Sequence, residues 1–220
     1  MATERKFVQS LQVAVPGTVE WKGEQVPTGI FKEPVTGRRA IGKLGVEGDT
    51  IADLRVHGGE DMAVYAYPGE HYAYWRGELP DMELPWGMFG ENLTTAGLLE
   101  DTVHLGDRFR VGTAELMVTV PRIPCYKLGA KFGRADMVKR FLQSGRSGFY
   151  FRVIQEGEAG AGDRIEELGR DAAGVSVTEF LAIYTGKVKD LAALQRVAAV
   201  EALPQSWRGW LAKKLSKAGL

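Results

Sequence analysis

Val118-Thr-Val-Pro-Arg-Ile-Pro-Cys-Tyr-Lys-Leu128 carries the only cysteine of the 220-residue chain, Cys125. Ahead of it, Ala114 to Val120 places apolar residues at 116, 118 and 120 and is rich in β-branched types, the alternation of a strand with one buried face. Pro121 and Pro124 fix their own φ and push the residues before them toward extended conformations, so the strand runs out into a stiff bend. The bend presents one thiol, with Arg122 and Lys127 close by in sequence. Nearby cations favour the thiolate, which is the form that attacks electrophiles or binds metals. A buried cysteine with a purely structural role is the alternative reading.

Upstream, Phe7 to Val15 predicts a first strand closed by Pro16-Gly17, and Glu20-Trp-Lys-Gly23 predicts a hairpin turn. Lys32-Glu-Pro-Val-Thr-Gly-Arg-Arg39 reads as a turn with a basic corner, and Ala40-Ile41 as a short strand. Gly42, Gly45 and Gly48 lack the Gly-Lys-Ser/Thr ending of a phosphate loop; they suit turns or bulges in a small barrel. Ile51 to Val56 reads as strand, with Asp53, Arg55 and His57 on one face at period two. The glycines after His57 break it and let backbone approach a ligand. Met62 to Tyr67 is apolar again, and Pro68 to Arg76 predicts a short helix with His71, Tyr74 and Trp75 on one face. Glu91 and Asn92, flanked by small residues, form either a hydrogen-bonding hub or a plain turn.

Downstream, Asp136 to Phe141 predicts a helix, Phe149 to Ile154 a strand and Gly157 to Gly162 a flexible hairpin loop. From Val175 the grammar becomes helical. Ser176-Val-Thr-Glu179 is a capping box opening a helix that Gly186 ends. Leu191, Leu194, Ala198 and Ala202 stripe a second helix, and Trp207, Trp210, Leu211 and Leu215 a third. The chain thus divides into a mainly β body, 1–172, and a three-helix domain, 173–220.

With 28 basic and 28 acidic residues the formal net charge is zero, which argues against a dedicated nucleic-acid or anionic-membrane protein. One cysteine excludes an internal disulfide framework and cannot hold an iron–sulfur cluster, and three histidines do not furnish a His-rich zinc site. Met1-Ala-Thr-Glu-Arg-Lys6 lacks the apolar core of a signal peptide, and no apolar run is long enough to span a bilayer. A cytoplasmic monomer or homodimer is expected, with neither nucleic acid nor membrane as partner.

Asp49 and Asp53 with Val56-His-Gly-Gly59, then Phe89-Gly-Glu-Asn-Leu-Thr-Thr95, Gly106-Asp107 and Pro121-Arg-Ile-Pro-Cys125 resemble, in that order, the MOSC domain found at the C-terminus of molybdenum cofactor sulfurases. The resemblance runs from about Lys32 to Leu168. With the helical tail, the chain is similar to the stand-alone bacterial group linked to N-hydroxylaminopurine resistance. The resemblance implies a closed, mostly antiparallel β-barrel with short helices. It also implies the molybdenum cofactor, a phosphorylated pterin dithiolene, as ligand, and Cys125 as the residue that coordinates molybdenum. Thiolate is the soft ligand among side chains, and the dithiolene supplies the remaining sulfurs. Arg55, Arg122, Lys127 and Lys131 are candidates for the cofactor's phosphate, with Asn92 in a matching motif. His57 and Glu91 would be hydrogen-bond partners or proton donors near Cys125. The implied activity is molybdenum-dependent reduction of N-hydroxylated bases and related compounds, with electrons from a separate flavin-type reductase or other donor. Two alternatives stand beside it: a carrier of the cofactor, or of sulfur as a Cys125 persulfide, and a thiol enzyme built on Cys125, His57 and Glu91.

Overall fold

The computed structural model describes residues 5–50 and 58–217. Its elements are, in order, β1 (Phe7–Ala14), β2 (Gly17–Trp21), β3 (Glu24–Thr28), β4 (Lys32–Pro34), β5 (Arg39–Gly42), β6 (Gly45–Val46) and β7 (Val64–Pro68). There follow α1 (His71–Glu78), β8 (Leu93–Ala96), β9 (Arg108–Val111), β10 (Ala114–Pro121), α2 (Tyr126–Phe132) and α3 (Met137–Ser144). The chain continues through β11 (Phe149–Gln155), β12 (Gly157–Ala159), β13 (Ile165–Gly169), α4 (Val177–Tyr184), α5 (Leu191–Ala199) and α6 (Gln205–Lys217). The strand expected over residues 51–56, with Asp53, Arg55 and His57, lies outside the described residues.

The alternation read in Ala114 to Val120 is real: Leu116, Val118 and Val120 of β10 are at most 1% exposed and meet Phe109 and Phe151 from the neighbouring strands. The main sheet has eight strands in the order β13-β9-β10-β11-β7-β8-β1-β4, antiparallel except for the β7–β8 pair. The helix α1 lies between those two strands in sequence, as a parallel connection requires. A closed barrel is not found among the described residues. Instead, an isolated bridge joins Phe7 to Arg164, and three backbone bonds tie residues 6–8 to 162–165, after which β1 turns to pair with β4. The contact is too short to continue the ladder. The turn at Lys22-Gly23 has φ of 53° and 81°, the doubly left-handed geometry of a two-residue hairpin, as Glu20-Trp-Lys-Gly23 predicts.

Two apolar clusters hold the molecule. The larger runs from the sheet into the tail without a break, joining Leu116 and Phe109 to Phe180, Val197 and Leu211, so the three C-terminal helices share the core of the β body. The second is aromatic, with Tyr67, Tyr72, Trp75, Phe89, Phe132 and Phe141 clustered among α1, α2 and α3. It corrects the helical face read for α1: Tyr72 and Trp75 are buried, whereas Tyr74 is 36% exposed. Three further differences from expectation concern short elements. The loop expected after Gly157 begins with β12, which pairs with β5. Leu93–Ala96 is a strand between β7 and β1, and the bend at Cys125 opens directly into α2. Each is four residues or fewer, or begins beside a proline, so neither period is readable in it.

Candidate functional site

Pro121 is the last residue of β10 and pairs with Phe149 of β11. The Arg122 N–H still donates to Gly148 O at 3.3 Å, while Leu128 N–H donates to Cys125 O at 3.0 Å, closing the first turn of α2. Cys125 is therefore the N-cap residue of α2, in extended backbone with φ −114° and ψ 176°, and is half-buried. The two prolines thus deliver the thiol from the end of a central strand to the start of a helix. It borders a cleft of about 110 Å³ lined also by Arg122, Lys127, Lys32, Asp49, Asn92, Tyr65 and Tyr150.

The far wall of the cleft comes from the exit of the β2–β3 hairpin, Thr28 to Ile30. Trp21 stacks on Tyr126 with ring centres 4.3 Å apart, and Lys127 Nζ donates to Pro27 O at 3.2 Å, so the hairpin is clamped to the N-terminal turn of α2. Gly29 is needed at this wall, because a Cβ there would meet Thr50 O at 1.9 Å.

Arg122 is the dominant charge. It is 6% exposed, with its guanidinium 5.0 Å from the ring centre of Tyr65 and 5.4 Å from that of Phe141. Burial disfavours its charge, but Tyr65, Tyr150 and Cys125 favour it and the net shift of its pKa is upward. Among the described residues its buried Nη1 has no hydrogen-bond partner. A permanently charged donor left without an acceptor in a protein interior is costly, which marks this atom as one built to meet an anion. Burial also raises the pKa of Tyr65 well above 10 and raises that of Tyr150, with Arg122 opposing both shifts. Tyr65 OH donates to Ser147 O at 2.8 Å.

Across the cleft, Lys32 Nζ donates to both oxygens of Asp49, each at 2.6 Å. Asp49 also accepts from Ala14 N–H at 2.6 Å and from Asn92 Nδ2 at 2.7 Å. Asn92 Oδ1 in turn accepts from Tyr65 N–H at 3.1 Å, so this network joins β1, β4, β7 and the start of β8.

The expected site residues separate into three groups. Cys125, Arg122, Lys127 and Asn92 come together at one cleft. Arg55 and His57 lie outside the described residues. Glu91 and Lys131 do not line the cleft. Glu91 is fully buried and accepts from Gly87 N–H at 2.8 Å, Phe89 N–H at 3.1 Å, Tyr72 OH at 2.5 Å and Thr94 Oγ1 at 3.0 Å. It is the hub read from its glycine-flanked setting, organising its own loop. Lys131 Nζ donates to Ile30 O at 2.9 Å and Gly87 O at 2.7 Å, tying α2 to the hairpin exit. Burial lowers its pKa to about 8, with Glu91 opposing the shift and Arg122 and Lys32 adding to it. Lys32, Tyr65 and Tyr150 were not legible as site residues: Lys32 reads as part of a basic turn, and the tyrosines as strand residues. Asp107, from another motif, is likewise fully buried and accepts from His104 N–H at 2.9 Å, a turn-building role.

A MOSC domain model matches residues 53–166, more than half of the chain, and a YiiM-like 3-alpha helix domain model matches 175–218. The chain belongs to the MOSC domain family. Among MOSC relatives, the uncharacterised protein YflK of Bacillus subtilis (strain 168) is 43% identical over 214 residues, 97% of this chain and 96% of that protein. A reductase of Gibberella moniliformis is 35% identical over 126 residues, 56% of this chain and 22% of that longer protein. The crystal structure of YiiM from Geobacillus stearothermophilus is similar with a TM-score of 0.81 at 37% identity, covering 96% of this chain and 99% of that one.

MOSC domains are associated with the molybdenum cofactor in general, and the donor set here fits such a group. Among the described residues there is no cluster of three or more His, Cys, Asp or Glu side chains able to hold a bare metal ion. One thiol beside an orphaned guanidinium nitrogen and a further lysine instead suits a ligand that brings most of its own donors and an anionic group. Among the described residues no helix is long and apolar enough to cross a membrane.

Proposed function

We propose that the protein is a molybdenum-cofactor-dependent reductase of N-hydroxylated bases and related compounds. The observation that carries this reading is the meeting of Cys125 and Arg122 at one cleft, the buried Nη1 of Arg122 having no partner among the described residues. Cys125 would ligate molybdenum, and Arg122, with Lys127 beside it, would take the cofactor's phosphate. When bound, the cofactor supplies two-electron chemistry. Asn92 holds Asp49 and the β7 backbone, fixing the opposite wall, while Glu91 and Lys131 keep the loop and helix behind that wall in place. A separate flavin-type reductase or comparable donor protein supplies the electrons.

The test is molybdenum and pterin content of protein purified anaerobically from cofactor-competent cells, beside Cys125→Ser. Metal in the wild type and its loss from the variant are expected, with reduction of N-hydroxylaminopurine by the loaded wild type and an artificial donor. A wild type that takes up no cofactor supplied in excess would overturn the molybdenum reading. A loaded wild type without turnover would make the protein a carrier instead.

A further inference from the structure

Reduction of an N-hydroxyl group consumes protons as well as electrons: R–NHOH + 2 e⁻ + 2 H⁺ → R–NH₂ + H₂O. Among the described residues, a cleft group able to release a proton would therefore assist the departing oxygen. Glu91 is excluded by position, since its carboxylate is enclosed by four donors away from the cleft. Arg122 stays cationic at any working pH. Tyr65 and Tyr150 hold their protons more tightly than a free phenol because both are buried. Lys127 donates to Pro27 O and would be taken up by the cofactor's phosphate.

Lys32 differs from all of these. It shares the cleft with Cys125, its side chain is 8% exposed, and among the described residues Asp49 is its only hydrogen-bond acceptor. An ammonium group has three N–H donors, so one remains for a ligand. Burial weakens its hold on the proton, Asp49 and Glu91 strengthen it, and Arg122 weakens it again, with a net lowering of its pKa. Lys131 is a further cation within electrostatic reach of Lys32.

We propose that Lys32 is a catalytic residue that protonates the departing oxygen, with Asp49 as the positioning residue that fixes its amine. The inference rests on the reductase reading above. The N–O bond breaks, and the oxygen, already bearing one hydrogen, takes the Lys32 proton and leaves as water. The nitrogen receives two electrons from the external donor protein and the second proton from solvent, which also reprotonates Lys32.

Lys32→Arg tests this in the loaded protein, because arginine keeps a cation for Asp49 but does not give up its proton near neutrality. The variant is expected to keep wild-type molybdenum and pterin content and unfolding midpoint, to lose on the order of 100-fold in kcat, and to lose the alkaline limb of the kcat profile. In cofactor-free protein, carbon NMR of the lysine side chains should show two signals that titrate below the ordinary lysine range, that of Lys131 and a second that is absent from the variant. Wild-type turnover and an unchanged pH profile in Lys32→Arg would make the pair structural and overturn the proposal. So would an ordinary Lys32 titration, or loss of molybdenum from the variant, which would assign the pair to holding the cofactor. A loaded wild type that reduces no N-hydroxylated substrate would overturn the reductase reading itself, and the proton-donor role with it.

Discussion

At the scale of single residues, Glu91 anchors its loop from a fully buried position, accepting from four donors. Its setting between small residues leaves a hub or a plain turn open, and the turn that brings the Gly87 and Phe89 N–H groups onto its carboxylate decides for the hub. Glu91→Gln puts an amide N–H₂ against one of those N–H donors or against Tyr72. Loss of a charged hydrogen bond of this kind costs about 1.5–3 kcal/mol. Urea unfolding should show a lowered midpoint, and an unchanged one would contradict the anchoring role. Cys125 was legible because it is the single thiol and because two prolines leave its loop little freedom. Lys32 was not, because nothing within ten residues of it reveals the distant Asp49 that it meets.

At the scale of elements, legibility follows length and punctuation. Ser176 accepts from Glu179 N–H at 3.0 Å at the start of α4, as the capping box predicts. Ser176→Ala should therefore destabilise the protein by about 1 kcal/mol, read as a lower thermal midpoint with unchanged cofactor content. A larger loss would indicate that α4 nucleates the packing of the tail on the sheet. Strands β10 and β11 were readable from alternation over seven or eight residues. The short β8 and β12 were not, since pairing with neighbouring strands rather than local propensity holds them, and α2 was not, since it is held by its clamp to the β2–β3 hairpin. Arg208 of α6 folds back on the chain, donating to Val200 O at 2.9 Å and Glu201 O at 3.2 Å.

At the scale of the whole molecule, buried ionisable groups set the response to alkali. Lys131 has a folded pKa of about 8 against the ordinary lysine value of 10.5, so between these values the unfolded chain binds the extra proton. The cost of burying its charge is complete below pH 8 and is relieved as pH rises, which makes stability increase over that window. Tyr65, Tyr67, Tyr72 and Tyr150 act in the opposite sense: all are raised above 10 by burial, so above that pH the unfolded chain releases protons that the folded one keeps. Stability should therefore fall steeply above about pH 10. Denaturant unfolding from pH 7 to 11 checks both limbs, and Lys131→Met should flatten the rising one. A steady decline across the range would contradict this assignment.

The contact between residues 6–8 and 162–165 has a consequence for how the chain is made. A ribosome produces β1 long before its partner at Asp163. Until then the Val8 N–H and carbonyl, which meet Asp163 and Gly162 in the finished fold, face water or any other extended chain nearby. The early part of the β body therefore cannot be completed in the order of synthesis. This seam of the sheet closes only once the segment around Asp163 has been made.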